Sequence, residues 1–256
     1  MSQKVVILVM GRDQTIKLSY LTSFFFEKFW TKRQIKCVLV TQTTAPKKHY
    51  YDEVIYTKPD AIWGERLELA LEQIKEEYII LSQEDFFISK EILEENIFQC
   101  VRYMDEHKSV AAIRLNSFSL NSRTYDELFN IVEKGMPYRI CGQPTIFRKE
   151  YLYELSKRHF NPWQFEIDGS EYSDSLEGEV LVSKYDRYPY VHAWTKGAWT
   201  RDAIELMKSF NVQEKYYIND NVYPLYKEML NRIWSICFRV SPNLLTRLTK
   251  KRNRTN

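Results

Sequence analysis

Apolar residues in this chain gather in short unbroken runs, and longer segments with a helical apolar period separate them. Lys4 to Met10 (KVVILVM) and Ile35 to Val40 (IKCVLV) read as strands, Val54 to Tyr56 as a short third, and the run ending in Ser82-Gln83 as a fourth. Runs of this length without polar alternation are what strands covered on both faces look like. Between them, Thr15 to Phe29 reads as an aromatic-rich helix. Ile62 to Glu76 is helical, with Trp63, Leu67, Ala70, Leu71 and Ile74 on one face. Further on, the pattern predicts a helix at Lys90 to Glu106, strands at Val110 to Leu115 and around Pro144 to Phe147, and a helix from Lys149 to His159. This alternation predicts an α/β fold, a mostly parallel central sheet with helices on both faces.

Composition narrows the reading. At 256 residues, 44% hydrophobic and 28% charged, the chain is an ordinary folded globule, rich in aromatics (15%) and poor in glycine. One large domain fits that length. Neither a leader of basic, apolar and small residues nor a run of 18 apolar residues occurs, which predicts a cytoplasmic protein, peripheral on a membrane at most. Cys37, Cys100, Cys141 and Cys237 are too scattered for a zinc knuckle or a disulfide framework, and read as buried thiols. The first loop, Gly11-Arg12-Asp13-Gln14, holds a single glycine. With neither a G-x-G-x-x-G nor a G-x-x-x-x-G-K-[ST] pattern, NAD enzymes and P-loop ATPases are set aside, and the glycine-rich signature of sugar-phosphate nucleotidyltransferases is also missing.

The most informative stretch is Glu77-Tyr78-Ile79-Ile80-Leu81-Ser82-Gln83-Glu84-Asp85-Phe86-Phe87, an apolar strand that ends in two adjacent carboxylates. Acids at the carboxyl end of a buried strand need water, a cation or a basic partner, and that sheet edge is where open α/β sheets bind ligands. The competing reading has Glu84 and Asp85 capping a helix that starts near Ser89. Arg66, on the preceding helix, is a candidate contact for a phosphate or a base, or else an ordinary solvated arginine.

An N-terminal strand, a second strand ending in Thr41-Gln42, a helix opening Trp63-Gly64-Glu65-Arg66-Leu67, and then Ile79 to Phe86 together resemble bacterial GT-A type glycosyltransferases of capsule and lipopolysaccharide assembly. The resemblance implies a GT-A like fold over roughly residues 4 to 200. It also implies a divalent cation, Mg²⁺ or Mn²⁺, held by a D-x-D-like motif against the diphosphate of a nucleotide sugar. Here the triplet is Gln83-Glu84-Asp85, with glutamine in place of the first aspartate. Asp85 is then the expected metal ligand, and Glu84 a contact to the cation or to sugar hydroxyls. Several such enzymes use a late histidine as a further metal ligand or a late basic residue on the diphosphate, which implies His192 and Lys196 within Tyr190-Val191-His192-Ala193-Trp194-Thr195-Lys196-Gly197, a purely structural histidine being the competing reading.

Asn161-Pro162-Trp163-Gln164-Phe165-Glu166 places an acid among aromatics. A carboxylate desolvated by Trp163 and Phe165 would have the raised pKa of a general base, and the aromatic faces could stack on a sugar acceptor. Glu166 is also the position that matches the acceptor-side acid of the comparable enzymes. The alternative has Trp163 and Phe165 as core plugs and Glu166 as a solvent-facing cap. Asp168, Glu171 and Asp174 in the same acid-rich loop are rival bases. Gln143, in the turn Gly142-Gln143-Pro144, either lines the acceptor side or only begins a strand.

From Leu225 to Leu248 apolar residues recur at helical spacing, and Lys250, Lys251, Arg252 and Arg254 follow. This divides the chain into a catalytic domain, 1–224, and a basic amphipathic helical extension, 225–256, suited to an anionic membrane surface or to packing on the domain. No nucleic-acid reader module accompanies it. The expected activity is transfer of a sugar from a nucleotide donor, a UDP-sugar first among them, to a surface-glycan or lipid-linked acceptor, by inversion first and retention as the alternative. A non-catalytic carbohydrate-binding or scaffold protein of a polysaccharide assembly complex is the alternative.

Overall fold

The computed structural model describes residues 4–117, 122–216 and 220–230. In chain order the elements are β1 (Val5–Met10), α1 (Ile16–Phe29), β2 (Lys36–Thr41), β3 (Glu53–Tyr56), α2 (Trp63–Gln73), β4 (Tyr78–Gln83), β5 (Phe86–Ile88) and α3 (Glu94–Glu106). Then come β6 (Val110–Arg114), β7 (Arg123–Thr124), β8 (Phe129–Ile131), β9 (Thr145–Arg148), α4 (Lys149–Ser156), α5 (Pro162–Ser173), β10 (Glu179–Ser183), β11 (Tyr190–His192), β12 (Trp194–Thr195), β13 (Ala198–Trp199) and α6 (Arg201–Ser209).

Nine strands form one sheet in the order β3-β2-β1-β4-β9-β6-β10-β8-β7. Strands β3, β2, β1 and β4 are mutually parallel, as are β6 and β10, while β9 and β8 run against their neighbours. The sheet is therefore mixed α/β and mostly parallel. Successive side chains of β1 feed opposite faces. Val5, Ile7 and Val9 pack with Phe26 of α1, Trp30 just past its end, and Ile97, Val101 and Met104 of α3. Val6, Leu8 and Met10 pack with Leu67 and Leu71 of α2, Leu152 and Leu155 of α4 and Phe165 of α5. Two apolar faces, each covered by helices, explain why β1 shows no polar alternation.

Two sequence expectations change, and one feature was not expected. The segment after Asp85 turns at once into β5, and α3 begins only at Glu94, so Glu84 and Asp85 do not cap it. The stretch expected as an acid-rich loop is helix α5. Asn161 caps it by accepting from Gln164 N at 2.9 Å, and Pro162 occupies the first turn, where its missing N–H costs nothing. Strands β5 and β11 leave the main sheet and pair with each other as a two-stranded ribbon. Short strands of this kind carry too little pattern to be read from sequence.

Residues 225–230 are helical. The rest of the expected amphipathic extension, with its basic cluster, lies outside the described residues. Among the described residues, no helix is long and apolar enough to cross a membrane.

Candidate active site

The carboxyl ends of β1, β2 and β4 meet at one edge of the sheet. Gly11 follows β1 because nothing larger fits: a Cβ there would lie 2.8 Å from Ser19 Oγ and 2.9 Å from Leu39 Cδ1. Asp13 then reaches across to the end of β2. Its carboxylate accepts from Thr41 Oγ1 at 3.1 Å, from Thr43 N and Oγ1, and from Thr44 N at 3.0 Å. Partial burial works against the charge, but these hydrogen bonds outweigh it and bring the pKa down to about 2. Gln42 completes the lacing, accepting from Asp13 N at 3.2 Å and donating to Pro59 O at 2.8 Å.

The adjacent acids Glu84 and Asp85 face different ways. Glu84 is buried and turned toward α1, where it accepts from Thr15 Oγ1, from Ser19 Oγ at 2.6 Å and from Arg12 N at 3.4 Å. Burial dominates its titration and raises the pKa to about 8, against the opposing pull of the Ser19 and Thr15 hydrogen bonds. Asp85 faces outward, and His192 Nε2 lies 2.9 Å from its Oδ2. The ribbon makes this contact: β5 and β11 pair antiparallel with His192 opposite Phe86, and Ala193 N donates to Asp85 O at 2.7 Å. The Phe86 ring packs against both Tyr190 (centroids 4.4 Å apart) and His192 (5.4 Å), which fixes the imidazole plane. Burial alone would lower the His192 pKa, yet the Asp85 hydrogen bond and the charges of Asp85 and Glu166 raise it.

Glu166 arrives from α5. Its Oε1 accepts from Gly142 N at 2.9 Å, and burial raises its pKa against the lowering effects of that bond and of the Arg114 and His192 charges. Asp85, His192 and Glu166 therefore share one electrostatic neighbourhood. Tyr190 and Arg114 belong to it as well, since burial and the charges of Asp85 and Glu166 raise the Tyr190 phenol while Arg114 opposes them.

The other expected residues divide between this edge and the rest of the protein. Arg66 is 6% exposed, donates to Ala61 O at 2.8 Å, and keeps a buried Nε without a partner among the described residues. Desolvation lowers its pKa, opposed by the charges of Glu84 and Asp13, so the guanidinium lies near both acids. Gln83, which stands where the first aspartate of D-x-D would be, accepts from Trp63 Nε1 at 3.1 Å. Phe165 is 1% exposed and packs on Trp63, so it has no face to offer an acceptor; it is a core residue. Its helix carries Trp163 on the outside instead, 70% exposed. Lys196 stands exposed at the tip of the β12–β13 hairpin, where it and Gly197 both have positive φ, as a two-residue turn between strands requires. No bond ties it to the acids. Asp13, Arg114, Tyr190 and Asn116 were missed by the sequence reading. Only Asp13 left a signal there, as the acid two residues after the glycine that follows β1.

One carboxylate oxygen and one imidazole nitrogen form a donor set that suits Mn²⁺, and Mg²⁺ through the carboxylate. Among the described residues, no group of three or more His, Cys, Asp or Glu is placed to hold an ion. A cation at Asp85 and His192 would thus rely on phosphate oxygens and water for its other positions, which is how Mg²⁺ and Mn²⁺ bind at phosphate-transfer sites.

No family model matches the chain, and no curated protein matches it. Among solved structures, S. aureus TarS is similar at 17% identity and a TM-score of 0.47, over 90% of this chain and 43% of TarS. The chain thus spans less than half the length of that protein. Residues 1–349 of TarS in complex with UDP-GlcNAc are similar at 16% identity, over 91% of this chain and 73% of that one, with a TM-score of 0.45. Mannosyltransferase PcManGT from Pyrobaculum calidifontis, in complex with GDP-Man and Mn²⁺, is similar at 11% identity, over 76% of this chain and 58% of its own, with a TM-score of 0.47.

Proposed function

We propose that this protein transfers a glycosyl group from a nucleotide-sugar donor, a UDP-sugar first, to a hydroxyl of a glycan or lipid-linked acceptor, with inversion. The observation that carries this reading is the meeting of Asp85, His192 and Glu166 at the carboxyl edge of the sheet; the buried Arg66, near Glu84 and Asp13, keeps a donor without a partner among the described residues. An unpaired buried guanidinium N–H is costly unless an anion or a carbonyl completes it, and a nucleotide offers both. Gln83-Glu84-Asp85 keeps the acid that faces the site, while Glu84 holds the first loop in place.

In this scheme Glu166 takes the proton of the acceptor hydroxyl. The oxygen attacks the anomeric carbon, the bond from that carbon to the diphosphate oxygen breaks, and the diphosphate leaves with the electron pair. Gly142 orients the carboxylate, and its raised pKa brings its basicity closer to neutral pH. A Mn²⁺ or Mg²⁺ ion held by Asp85 and His192 would neutralise charge on the departing diphosphate. Arg66 is a nucleotide contact, and Lys196, exposed at the hairpin tip, a candidate contact for the diphosphate. A surface glycan such as capsule or lipopolysaccharide is the acceptor class that the sequence resemblance supports, and the basic sequence after residue 224 supports work at the inner membrane face.

The test is release of nucleoside diphosphate from UDP-glucose and UDP-N-acetylglucosamine with Mn²⁺. Glu166→Gln should lower kcat at least about a hundredfold and leave donor affinity nearly unchanged. Donor binding without any diphosphate release, in wild type and variant alike, would favour the non-catalytic carbohydrate-binding alternative.

A further inference from the structure

Six buried side-chain polar atoms lack a hydrogen-bond partner among the described residues, and three of them, Arg66 Nε, Asn116 Oδ1 and Gln143 Oε1, belong to this edge of the sheet. The last two form a unit. Strands β6 and β9 are antiparallel, with Arg114 opposite Thr145, and past that pair Leu115 N still donates to Pro144 O at 2.9 Å. Continuing the ladder brings Asn116 and Gln143 to neighbouring positions at its lip. Ile113 and Leu115 point into the core on the α1 and α3 side, so alternation puts Arg114 and Asn116 on the face covered by α5. Gln143 directly follows Gly142, whose amide holds Glu166, and the Arg114 charge reaches Glu166.

We infer that Asn116 and Gln143 form a hydroxyl-binding subsite for a pyranose ring beside Glu166. This rests on the glycosyl-transfer reading of the site. Two buried amide oxygens without donors destabilise the ligand-free protein and are completed by a group that donates. An ammonium is disfavoured by the neighbouring Arg114 guanidinium. A sugar hydroxyl fits, and because it both donates and accepts it satisfies an amide in either orientation. Neighbouring side chains suit neighbouring hydroxyls, a pattern that every common hexose offers in either the acceptor or the donor sugar. Asn116 is 8% exposed, so only a ligand that enters the site can reach it.

The experiment compares the full-length wild type with Asn116→Leu and Gln143→Met, which keep volume and remove the acceptor oxygen. Ligand-observed NMR titrations use UDP, UDP-glucose and methyl β-D-glucopyranoside as probes, with thermal melts alongside. The expected result is unchanged UDP affinity, a melting temperature equal to or above that of wild type, and glycoside binding weakened roughly three- to tenfold in each variant. A loss on UDP-glucose relative to UDP, with the glycoside unaffected, also supports the subsite and assigns it to the donor sugar. Folded variants that bind all three probes like wild type would overturn it, since water then completes the two amides, and so would a wild type that binds neither sugar probe. Should Asn116→Leu fail to fold, Gln143→Met, at the less buried position, decides. A wild type that ignores UDP but whose variants still lose the glycoside would retire the nucleotide reading and leave the subsite standing.

Discussion

The two halves of the sheet treat their polar groups differently. In the half built from β3, β2, β1 and β4, the loops at the carboxyl edge are closed on themselves: Asp13, Gln42 and Glu84 find their partners within the chain. In the half that begins at β9 and β6, Glu166 is held at one oxygen by the Gly142 amide, and Asn116 and Gln143 carry oxygens unpaired among the described residues. A loop whose carboxylates are hydrogen-bonded within the chain is held before any ligand arrives, whereas buried unpaired atoms are completed by what binds. Asp85 sits on the junction: it follows β4 of the first half, and its carboxylate meets His192 of the β5–β11 ribbon.

The largest effect should come from that junction. Asp85→Asn keeps a hydrogen bond to His192 available but removes the charge, so diphosphate release with Mn²⁺ should fall at least about a hundredfold while the melting temperature stays put. Turnover at the wild-type level with saturating Mn²⁺ would remove Asp85 from the reaction. Next in size is a contrast of glycines between the halves. Gly11→Ala forces a methyl group against Ser19 and Leu39 and should destabilise the fold by about 1–3 kcal/mol in urea titrations. The same change at Gly142 meets only Glu166 Oε1, at 3.4 Å, and should cost less than about 0.5 kcal/mol. Equal costs at the two sites would erase the distinction between a closed and an open half.

The smallest effect is a slope. Glu84 has its pKa raised to about 8 from 4.5, so between those values the folded protein holds a proton that the unfolded chain has released. That contribution to stability is complete below about pH 4.5 and is lost as pH rises through about 8, at up to about 1.4 kcal/mol per pH unit. Melting curves of Glu84→Gln across this window should decline less steeply than those of wild type. Parallel declines would mean that Glu84 ionises normally in the folded protein.

What the sequence made legible follows the same division. The first half is a succession of unbroken apolar strands and amphipathic helices, and the acids could be read there because they directly follow β4, whose Ile79, Ile80 and Leu81 are buried on both faces. In the second half the pattern is diluted. Strands β7, β8 and β11 are two or three residues long, and the antiparallel direction of β9 depends on the excursion through β7 and β8, which apolar spacing does not encode. Phe165 and Trp163 show the limit for side chains. An aromatic two residues from another lies on a different face of a helix, and only a correct reading of 162–173 as helix would have sent Phe165 inward and Trp163 outward. Asn116 could not be found from sequence at all, since its role rests on the absence of a partner.

The β5–β11 ribbon has a consequence for the order in which the protein becomes competent. Asp85 and His192 are 107 residues apart in the chain, and the loop between them includes α3, β6, β9 and α5. Contacts of such long sequence separation form late, because the entropy of closing the loop must be met before they return anything. During synthesis, the four parallel strands can assemble while Asp85 still waits for an imidazole not yet translated. A partly made chain can therefore be well folded in its first half and still lack the pair on which the proposed chemistry depends.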